Sequence, residues 1–160
     1  MRLHHEITYE ATPDEVFEML GDKAFRVKVS EALDVVSHDI DVTRTGEGFT
    51  FVNDHVQKTA GLPSFAAKFT GDTTRAIQRE VWEDSSGATV TIDSPGKPAQ
   101  IAGTISLAPN GSGTLETIEL DLKIKIPLLA GKLEQLLHDT IVESIDVEHA
   151  VGQAWLRGER

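Results

Sequence analysis

The 160-residue chain contains no cysteine. Disulfides, thiolate nucleophiles and zinc–thiolate sites are therefore excluded, and the composition suits a reducing compartment such as the cytoplasm. Long apolar runs are also lacking, whereas a membrane-spanning helix needs about 20 apolar residues. The first residues, MRLHHEITYE, do not contain the apolar segment of a signal peptide. We therefore expect a cytoplasmic protein that does not insert stably into a membrane.

Positive charge is scarce in this sequence. Lys and Arg number 15 against 26 Asp and Glu, which gives a formal net charge of −11 at pH 7. No stretch of the chain is basic enough to form a local anion-binding face. We therefore expect no nucleic acid among the partners, because nucleic acids and anionic bilayers both repel such a surface.

The usual motifs of catalytic and cofactor sites are missing as well. The glycine-rich stretches 46–48 and 111–113 lack the strand-to-helix context and the spacing of a nucleotide-binding loop, so both indicate hairpin turns. His4 and His5 are neighbours on a predicted strand and point to opposite faces, which prevents them from sharing one metal ion. We therefore assign no catalytic residue, no metal and no cofactor.

The sequence that is present divides into alternating and helical patterns over one predicted domain, residues 1–160. Alternation from Leu3 to Tyr9 predicts a first strand. Thr12-Pro13-Asp14-Glu15 then provides an N-cap, a proline at the first helical position and acidic residues at the helix start. We expect one short helix over 13–21 and a second over 22–33.

Six more strands follow, with period-two alternation and turn residues between them. The first two, 35–42 and 48–57, form a hairpin around the turn 45–48. The later strands are predicted over 74–83, 88–93 and 100–108, followed by a final strand that begins after Asn110-Gly111 and alternates through Ile118 to Ile126.

The last predicted element is an amphipathic helix over 127–157 that begins at Pro127. Its apolar stripe comprises Leu129, Leu133, Leu136, Leu137, Ile141, Val147, Val151, Ala154 and Trp155. His138 and His149 are predicted on the opposite, wet side. A helix of this length spans roughly 42 Å, so it must cover a whole sheet, and we expect Leu133, Leu137 and Ile141 to be buried there.

Two polar positions interrupt the stripe. Thr140 and Ser144 lie near its middle, where Leu or Ile would be typical. In one interpretation each hydroxyl bonds to the carbonyl four residues earlier and only shapes the helix. In the other, the two hydroxyls face a cavity and bind a ligand head group.

A second apolar segment lies between the strands that end at 57 and begin at 74. Leu62, Phe65 and Phe69 fall on one side of a predicted short helix, with Gly61 and Pro63 as hinges. We expect this segment to close over one end of a cavity and to move when ligand enters.

Taken together, these elements resemble a known superfamily. The β-αα-β6-α order, the TPDEVF start of the first helix and the IPLLAGKLE start of the last helix resemble the START-like, helix-grip superfamily, also called SRPBCC. LPSFAAKF, the strand end at Trp82 and the tail from PLLAGKLE to Trp155 are similar to a narrower, mainly actinobacterial family of unknown function, number 2505. The resemblance implies an α+β fold in which a curved antiparallel sheet of about seven strands wraps around the C-terminal helix. It also implies a cavity for a hydrophobic small molecule or lipid, which a few branches use for catalysis.

Several positions that should be core by alternation are polar, which supports such a cavity. His5 shares a face with Leu3 and Ile7, Asn53 and His55 continue the face of Phe49 and Phe51, and Arg79 stands between Ile77 and Val81. The strand that ends at Trp82 is ambiguous, since Gln78 and Glu80 lie on its other face. The predicted ligand-binding residues are His5, Phe49, Phe51, Asn53, His55, Phe65, Arg79, Leu133, Leu137, Thr140, Ile141 and Ser144.

Three functions remain open at this point. The first is binding of a hydrophobic small molecule or lipid in the cavity. The second is an enzyme of the polyketide cyclase or aromatase type, with His55, His5 or Glu80 as acid-base groups; a hydrolase would need His5 or His55 close to Ser64 or Ser144. The third is a regulatory or interaction module with a filled core.

Overall fold

The computed structural model describes residues 1–59 and 62–160. Within them the chain has an α+β architecture of seven strands and four helices. In chain order the elements are β1 (Arg2–Tyr9), α1 (Pro13–Leu20), α2 (Lys23–Ala32), β2 (Ser37–Thr45), β3 (Gly48–Lys58), α3 (Ser64–Thr70), β4 (Thr73–Asp84), β5 (Gly87–Asp93), β6 (Ala99–Asn110), β7 (Gly113–Ile124) and α4 (Ala130–Leu156).

The strands form one antiparallel sheet in the order β1-β7-β6-β5-β4-β3-β2. Consecutive strands from β2 to β7 pair as a meander, with short connections between them except between β3 and β4, where the α3 helix intervenes. The α1 and α2 helices carry the chain from β1 at one edge to β2 at the other. This arrangement confirms the predicted order of two short helices, six consecutive strands and one long helix.

The α1 helix begins as its sequence predicts. The Thr12 hydroxyl accepts a hydrogen bond from the Glu15 amide, and the Glu15 carboxylate accepts one from the Thr12 amide, both at 3.2 Å. This reciprocal pair satisfies two amides at the helix start. The capped helix then buries Phe17 against Phe49, with ring centroids 5.2 Å apart, and against Trp82 at 5.9 Å.

The α4 helix starts later than predicted. Ile124 ends β7, and the helix begins at Ala130 rather than at Pro127. The reason lies in the turn between them, where Leu128 has a φ of 68° and is fully exposed. A residue in the left-handed region cannot continue a right-handed helix.

The C-terminal part of α4 packs tightly. Trp155 lies edge-on to Phe25 at 5.6 Å. Gly152 lies against Tyr9, where a Cβ atom would come within 2.8 Å of the ring, so the close approach needs glycine. We call this region, together with Phe17, Phe49 and Trp82, the closed end of the fold.

Two predictions for α4 need correction. His149 does not face solvent freely, because its Nε2 lies 2.7 Å from the Thr8 carbonyl and its ring meets Tyr9 edge-on at 5.0 Å. Of the three residues expected to be buried, Leu133 is buried but Leu137 and Ile141 are only half-buried. Empty space next to them, described below, accounts for the difference.

No helix among the described residues is long and apolar enough to cross a membrane. Within the same residues, His, Asp and Glu do not form a group that could hold a metal ion.

Candidate functional site

A cavity separates the concave face of the sheet from the N-terminal and central parts of α4. It consists of two adjoining chambers of about 220 Å³ each. The chambers share five lining residues: Gln57, Thr74, Ser94, Leu137 and Thr140. Since Leu137 and Thr140 belong to both, the middle of α4 forms the junction between the chambers.

The outer chamber has a mainly apolar wall. Its apolar lining residues are Leu62, Ala66, Phe69, Pro98, Ala99, Ile124, Ile126, Leu133, Leu136 and Leu137. Lys58 and Lys97 are the charged residues of this wall, and Lys97 Nζ donates a hydrogen bond to the Phe69 carbonyl. The outer chamber is therefore an apolar space with positive charge at its rim.

The α3 helix forms one side of the outer chamber. Leu62 and Phe69 line it as the predicted lid requires, and Ala66 replaces Phe65 as the third contact. Phe65 itself is half-buried outside the lining. The proposed hinge at Gly61 lies outside the described residues, and the movement of the segment stays a prediction.

The inner chamber combines an apolar floor with a charged end. Its floor on the sheet comprises Phe51, Val90, Ile92, Ile101, Ile105, Ile118 and Leu120. Four ionisable residues lie at its far end, which we call the Arg26 cluster: Arg26, Glu80, Glu116 and Glu148. They come from α2, β4, β7 and α4, so the cluster forms only when the whole fold is assembled.

Arg26 and Glu80 form a buried pair at the centre of this cluster. Arg26 is only 3% exposed, and its two terminal nitrogens lie 3.2 and 3.1 Å from the Glu80 oxygens. Its Nε donates to the Leu20 carbonyl at 2.7 Å, and the guanidinium stacks on Phe51 at 3.9 Å. Burial opposes the charge on Arg26, but Glu80 and Glu148 outweigh it and raise the pKa of the guanidinium.

Further donors complete the environment of Glu80. Trp82 Nε1 donates to its Oε1 and Gln78 Nε2 donates to its Oε2, each at 3.1 Å. Each Glu80 oxygen therefore has two hydrogen-bond donors. A buried carboxylate needs such donors because it has lost its contacts with water. This also resolves the ambiguity of β4: Gln78, Glu80 and Trp82 face inward.

Glu116 and Glu148 have fewer hydrogen-bond partners than Glu80. Glu116 is 1% exposed, and its Oε2 has no hydrogen-bond partner among the described residues. Burial, together with the negative charges of Glu148 and Glu80, raises the pKa of Glu116 well above its usual range, although Arg26 opposes the shift. Burial also raises the pKa of Glu148, which approaches Arg26 Nη1 only at 3.9 Å.

His55 lines the inner chamber as a neutral imidazole. Burial lowers its pKa, and the hydrogen bond to the Asn53 carbonyl and the charge of Asp54 oppose the shift only in part. Gln57 Nε2 lies 2.7 Å from His55 Nε2, which fits a ring that carries its proton on Nδ1 and donates it to the Asn53 carbonyl at 3.4 Å. Both nitrogens therefore already have partners.

Thr140 and Ser144 both line the cavity, and both hydroxyls bond within the helix. Thr140 Oγ1 donates to the Leu136 carbonyl at 2.9 Å, and Ser144 Oγ donates to the Thr140 carbonyl at 3.0 Å. The two interpretations of these residues are therefore compatible. Each hydroxyl donates its hydrogen bond to a backbone carbonyl, and its oxygen can still accept a hydrogen bond from a ligand.

Eight of the twelve predicted ligand-binding residues line the two chambers. They are Phe51, Asn53, His55, Leu133, Leu137, Thr140, Ile141 and Ser144. Their roles in binding stay predictions.

The other four lie elsewhere. His5 is on the inward face of β1, but its Nε2 lies 2.9 Å from Asp146 on the outer side of α4. Phe49 stacks on Trp82 at the closed end, with a centroid distance of 5.6 Å. Arg79 is exposed, because the inward face of β4 is the one with Glu80. Phe65, as described above, is outside the lining.

Sequence reasoning missed three residues of the site: Arg26, Glu116 and Glu148. Glu116 stands two residues before Ile118, so the alternation of the last strand already placed it inward. Glu148 stands four residues after Ser144 and seven after Ile141, the spacing of one helix face. Arg26 stands three residues before Val29 and seven before Leu33, so helical spacing places it beside the apolar stripe of α2.

Comparison with known proteins identifies one matching sequence family and several solved structures with a similar fold. The family model described as "Protein of unknown function (DUF2505)" matches residues 4–156. No curated protein matches the chain.

Solved structures give the same fold at low sequence identity. The protein TTHA0849 from Thermus thermophilus is 20% identical with a TM-score of 0.66, over 96% of this chain and 94% of that one. A START superfamily protein from Mycobacterium smegmatis is 14% identical with a TM-score of 0.62, over 95% and 97%. The Zhui aromatase/cyclase from Streptomyces sp. R1128 is 13% identical with a TM-score of 0.63, over 96% and 92%. The predicted START-like helix-grip fold is thereby confirmed.

Proposed function

We propose that this chain, which belongs to the family described as "Protein of unknown function (DUF2505)" and has the START-like helix-grip fold, binds a hydrophobic small molecule between its sheet and α4. The observation that carries this proposal is the pair of adjoining chambers, each of about 220 Å³. Together they fall within the usual size of small-molecule sites, roughly 300–1,000 Å³.

The packing of α4 supports the same function. Leu137 and Ile141 point toward the sheet but remain half-buried, because the cavity lies between them and the strands. Apolar surface left uncovered in this way forgoes about 25 cal/mol for each Å². An apolar ligand in the cavity would recover that free energy, whereas a regulatory module with a filled core would leave no such surface.

The acid-base groups considered from the sequence support binding rather than catalysis. His5 contacts Asp146 away from the cavity, and Glu80 is saturated by Arg26, Gln78 and Trp82. His55 is neutral and has partners on both ring nitrogens. A general base needs a free lone pair within reach of substrate, and none of the three candidates offers one in this arrangement.

Native mass spectrometry of the protein as purified tests the proposal first. We expect an added mass that disappears when the protein is denatured and that corresponds to an apolar compound. A lipid as the ligand stays a prediction from the family resemblance, and a cytoplasmic location without nucleic acid partners stays a prediction from composition.

Cavity-filling variants provide the second test. Leu137→Trp places a large side chain at the junction of the chambers, and Leu136→Phe narrows the outer chamber alone. Binding of the hydrophobic dye ANS (8-anilinonaphthalene-1-sulfonate), followed by fluorescence, should fall about tenfold or more in Leu137→Trp and less in Leu136→Phe, because the dye and the new side chain compete for one volume.

Val81→Trp is the matched control for this test. Val81 lies on the outward face of β4 and is exposed, so the same large side chain there leaves the cavity unchanged. Equal dye binding in all of these proteins, each folded by circular dichroism, would contradict the cavity as the binding site.

A further inference from the structure

The charges of the inner chamber do not balance. Its ionisable lining residues are Arg26, Glu80, Glu116, Glu148 and the neutral His55. Arg26 is the single cation among the described residues of this wall, and Glu80 already binds it through both oxygens. Two further carboxyl groups therefore share the chamber without a cation of their own.

The inner chamber also contains buried hydrogen-bond acceptors that lack a donor. Glu116 Oε2 and Asn53 Oδ1 are both buried, and neither has a donor among the described residues. Glu148 reaches Arg26 Nη1 only at 3.9 Å, which is longer than a hydrogen bond. Each of these groups can accept a hydrogen bond, and the other buried polar atoms without a partner, the hydroxyls of Tyr9 and Thr74, can accept as well as donate. Because Asn53 carries no charge, its missing donor is an observation independent of the acidic residues.

Buried acceptors without donors are costly, and proteins usually supply a partner for them. A partner for this chamber must bring several N–H or O–H donors, and positive charge would also offset the excess of carboxyl groups. An ammonium group provides both, with three donors and one positive charge on a compact centre.

We propose that the ligand is an apolar primary amine, whose ammonium group lies against Glu116 and Glu148 in the inner chamber while its hydrocarbon part extends into the outer chamber. This inference rests on the proposed function and specifies the chemical class of its ligand. It also assigns Glu116 and Glu148 as ligand-binding residues.

The same features disfavour a fatty acid. A carboxylate that entered first would meet the charge of Glu80 in a region of low dielectric, where like charges repel strongly, and Glu116 and Glu148 could stay beside it only in their neutral forms. A hydrocarbon tail that entered first would cover Glu116 Oε2 and leave it without a donor. Only the rim of the outer chamber, with Lys58 and Lys97, favours an anionic group.

Amine binding should release a proton. Without ligand, burial favours the neutral form of Glu116, as its raised pKa expresses, whereas a neighbouring ammonium favours the carboxylate. The charged or titratable groups that face Glu116 are Tyr9, Arg26, Glu80 and Glu148. Burial raises the pKa of Tyr9, so its phenol stays neutral, and Arg26 stays charged. Glu116 and Glu148 are therefore the groups that can change their protonation.

Three probes of equal chain length test the proposal on the full chain: n-octylamine, 1-octanol and octanoate. Isothermal titration should show that octylamine binds about tenfold or more tightly than octanol, because charge-assisted hydrogen bonds add to the same apolar contact. Octanoate should bind more weakly than octanol. Octyltrimethylammonium, which keeps the charge but has no N–H donor, should lose most of the advantage of the amine.

Glu116→Gln tests the assigned residue. The substitution keeps the size of the side chain and removes its ionisable group, so the affinity of octylamine relative to that of octanol should fall about tenfold. Titrations of the unchanged protein in buffers of different ionisation enthalpy should also reveal proton release with octylamine, and the release should shrink in Glu116→Gln. Glu148→Gln provides a second variant with the same expected direction.

Glu119→Gln is the matched control. Glu119 lies on the same strand, faces outward to Arg2 and His4, and undergoes the same Glu→Gln exchange outside the chamber. The amine preference should survive this change, which separates a local effect from one of net charge.

The outcomes distinguish the two proposals. If octanol binds and octylamine gains nothing over it, or if Glu116→Gln leaves the amine preference intact, the amine inference is wrong and the proposed function stands. If none of the probes binds and no compound co-purifies, both proposals are wrong.

Discussion

The two ends of the space between the sheet and α4 differ sharply, although the same strands build both. Paired inward residues of β3 and β4 change from Phe49 and Trp82 at the closed end to Phe51 and Glu80 one step further. Asn53 pairs with Gln78 next, and His55 pairs with Ala76 after that. Within four such pairs, large aromatic side chains give way to smaller and polar ones.

This change in side-chain volume and polarity creates the cavity. At the closed end the rings of Phe49 and Trp82 stack and fill the interior, as close packing requires. Where smaller residues follow, α4 stays at the distance that the closed end imposes, and the space beneath it remains empty. The close packing at the closed end therefore stabilises the fold. The cavity end has fewer packing contacts and contributes less stability, but it leaves space for a ligand.

The largest effect expected from this comparison is on stability at the closed end. Trp82→Ala should lower the free energy of unfolding by about 3–5 kcal/mol, because it removes a fully buried aromatic side chain. Leu137→Ala, which borders the cavity, should cost only about 1–2 kcal/mol, since fewer contacts are lost there. Urea denaturation of both variants would measure the difference, and equal losses would contradict the distinction between the two ends.

The second prediction concerns the Arg26 cluster. Arg26→Met should destabilise the protein by about 3 kcal/mol, because it leaves Glu80 buried without its cation. Trp82 and Gln78 still donate to Glu80, which keeps the loss at the low end of the range for broken buried pairs.

The matched control is Arg44→Met, which removes an exposed ion pair with Glu18 and should cost below about 1 kcal/mol. A similar small loss for Arg26→Met in urea denaturation would mean that Glu80 finds another partner or becomes neutral at no cost.

The contrast between the two ends also explains what could be predicted from the sequence. The spacing of apolar residues along a strand or helix depends only on the element itself and on its having one buried side. The alternation through Ile118 and Leu120 therefore indicated a strand without any knowledge of the strands that pair with it. Thr12 and Glu15 marked a helix start through purely local hydrogen bonds. The fold and the strand order could therefore be predicted, with errors only at element ends such as Pro127.

The site was harder to predict because it depends on contacts between distant elements. Asn53 and His55 could be recognised as polar residues on an apolar face of one strand. On β4 both faces carry charge, so only the pairing with β3 decides between Arg79 and Glu80. Arg26 meets Glu80, which lies 54 residues further along the chain, so local sequence does not reveal the pair.

The third prediction follows from the protonation of Glu116. Its pKa in the folded protein is raised above the unfolded value of about 4.3. The stability that the neutral carboxyl contributes is therefore complete below about pH 4.3 and is lost as the pH rises through the folded pKa. Glu116→Gln does not ionise, so its stability relative to the unchanged protein should increase with pH by up to about 1.4 kcal/mol per unit within that window.

Urea denaturation at several pH values would measure this slope. Glu148 titrates in the same direction, so it retains part of the pH dependence in Glu116→Gln. A stability difference between Glu116→Gln and the unchanged protein that is constant across pH would contradict the raised pKa.

The fourth prediction concerns the apolar wall at the outer chamber. If Leu62 and the α3 residues Ala66 and Phe69 cover bound ligand, the amides of α3 should exchange more slowly with solvent when octylamine is present. At a free concentration of ten times Kd, exchange that requires ligand release should slow about tenfold. Hydrogen exchange followed by mass spectrometry would measure it, with β2 as a region that should not respond. Unchanged exchange in α3 would leave these residues as ordinary packing.

The smallest effect is expected at Thr140, which lies at the junction of the two chambers. Its hydroxyl proton bonds to the Leu136 carbonyl, so only its lone pairs remain for a ligand donor. Thr140→Val keeps the shape of the side chain and should leave stability nearly unchanged, because the lost bond is one that helices do not require. Binding of octylamine should weaken by about 0.5–1.5 kcal/mol if the hydroxyl accepts an N–H from the ligand, and should not move if the ammonium lies only against Glu116 and Glu148. Isothermal titration of both proteins therefore shows how far the polar part of the ligand extends from the Arg26 cluster toward the apolar chamber.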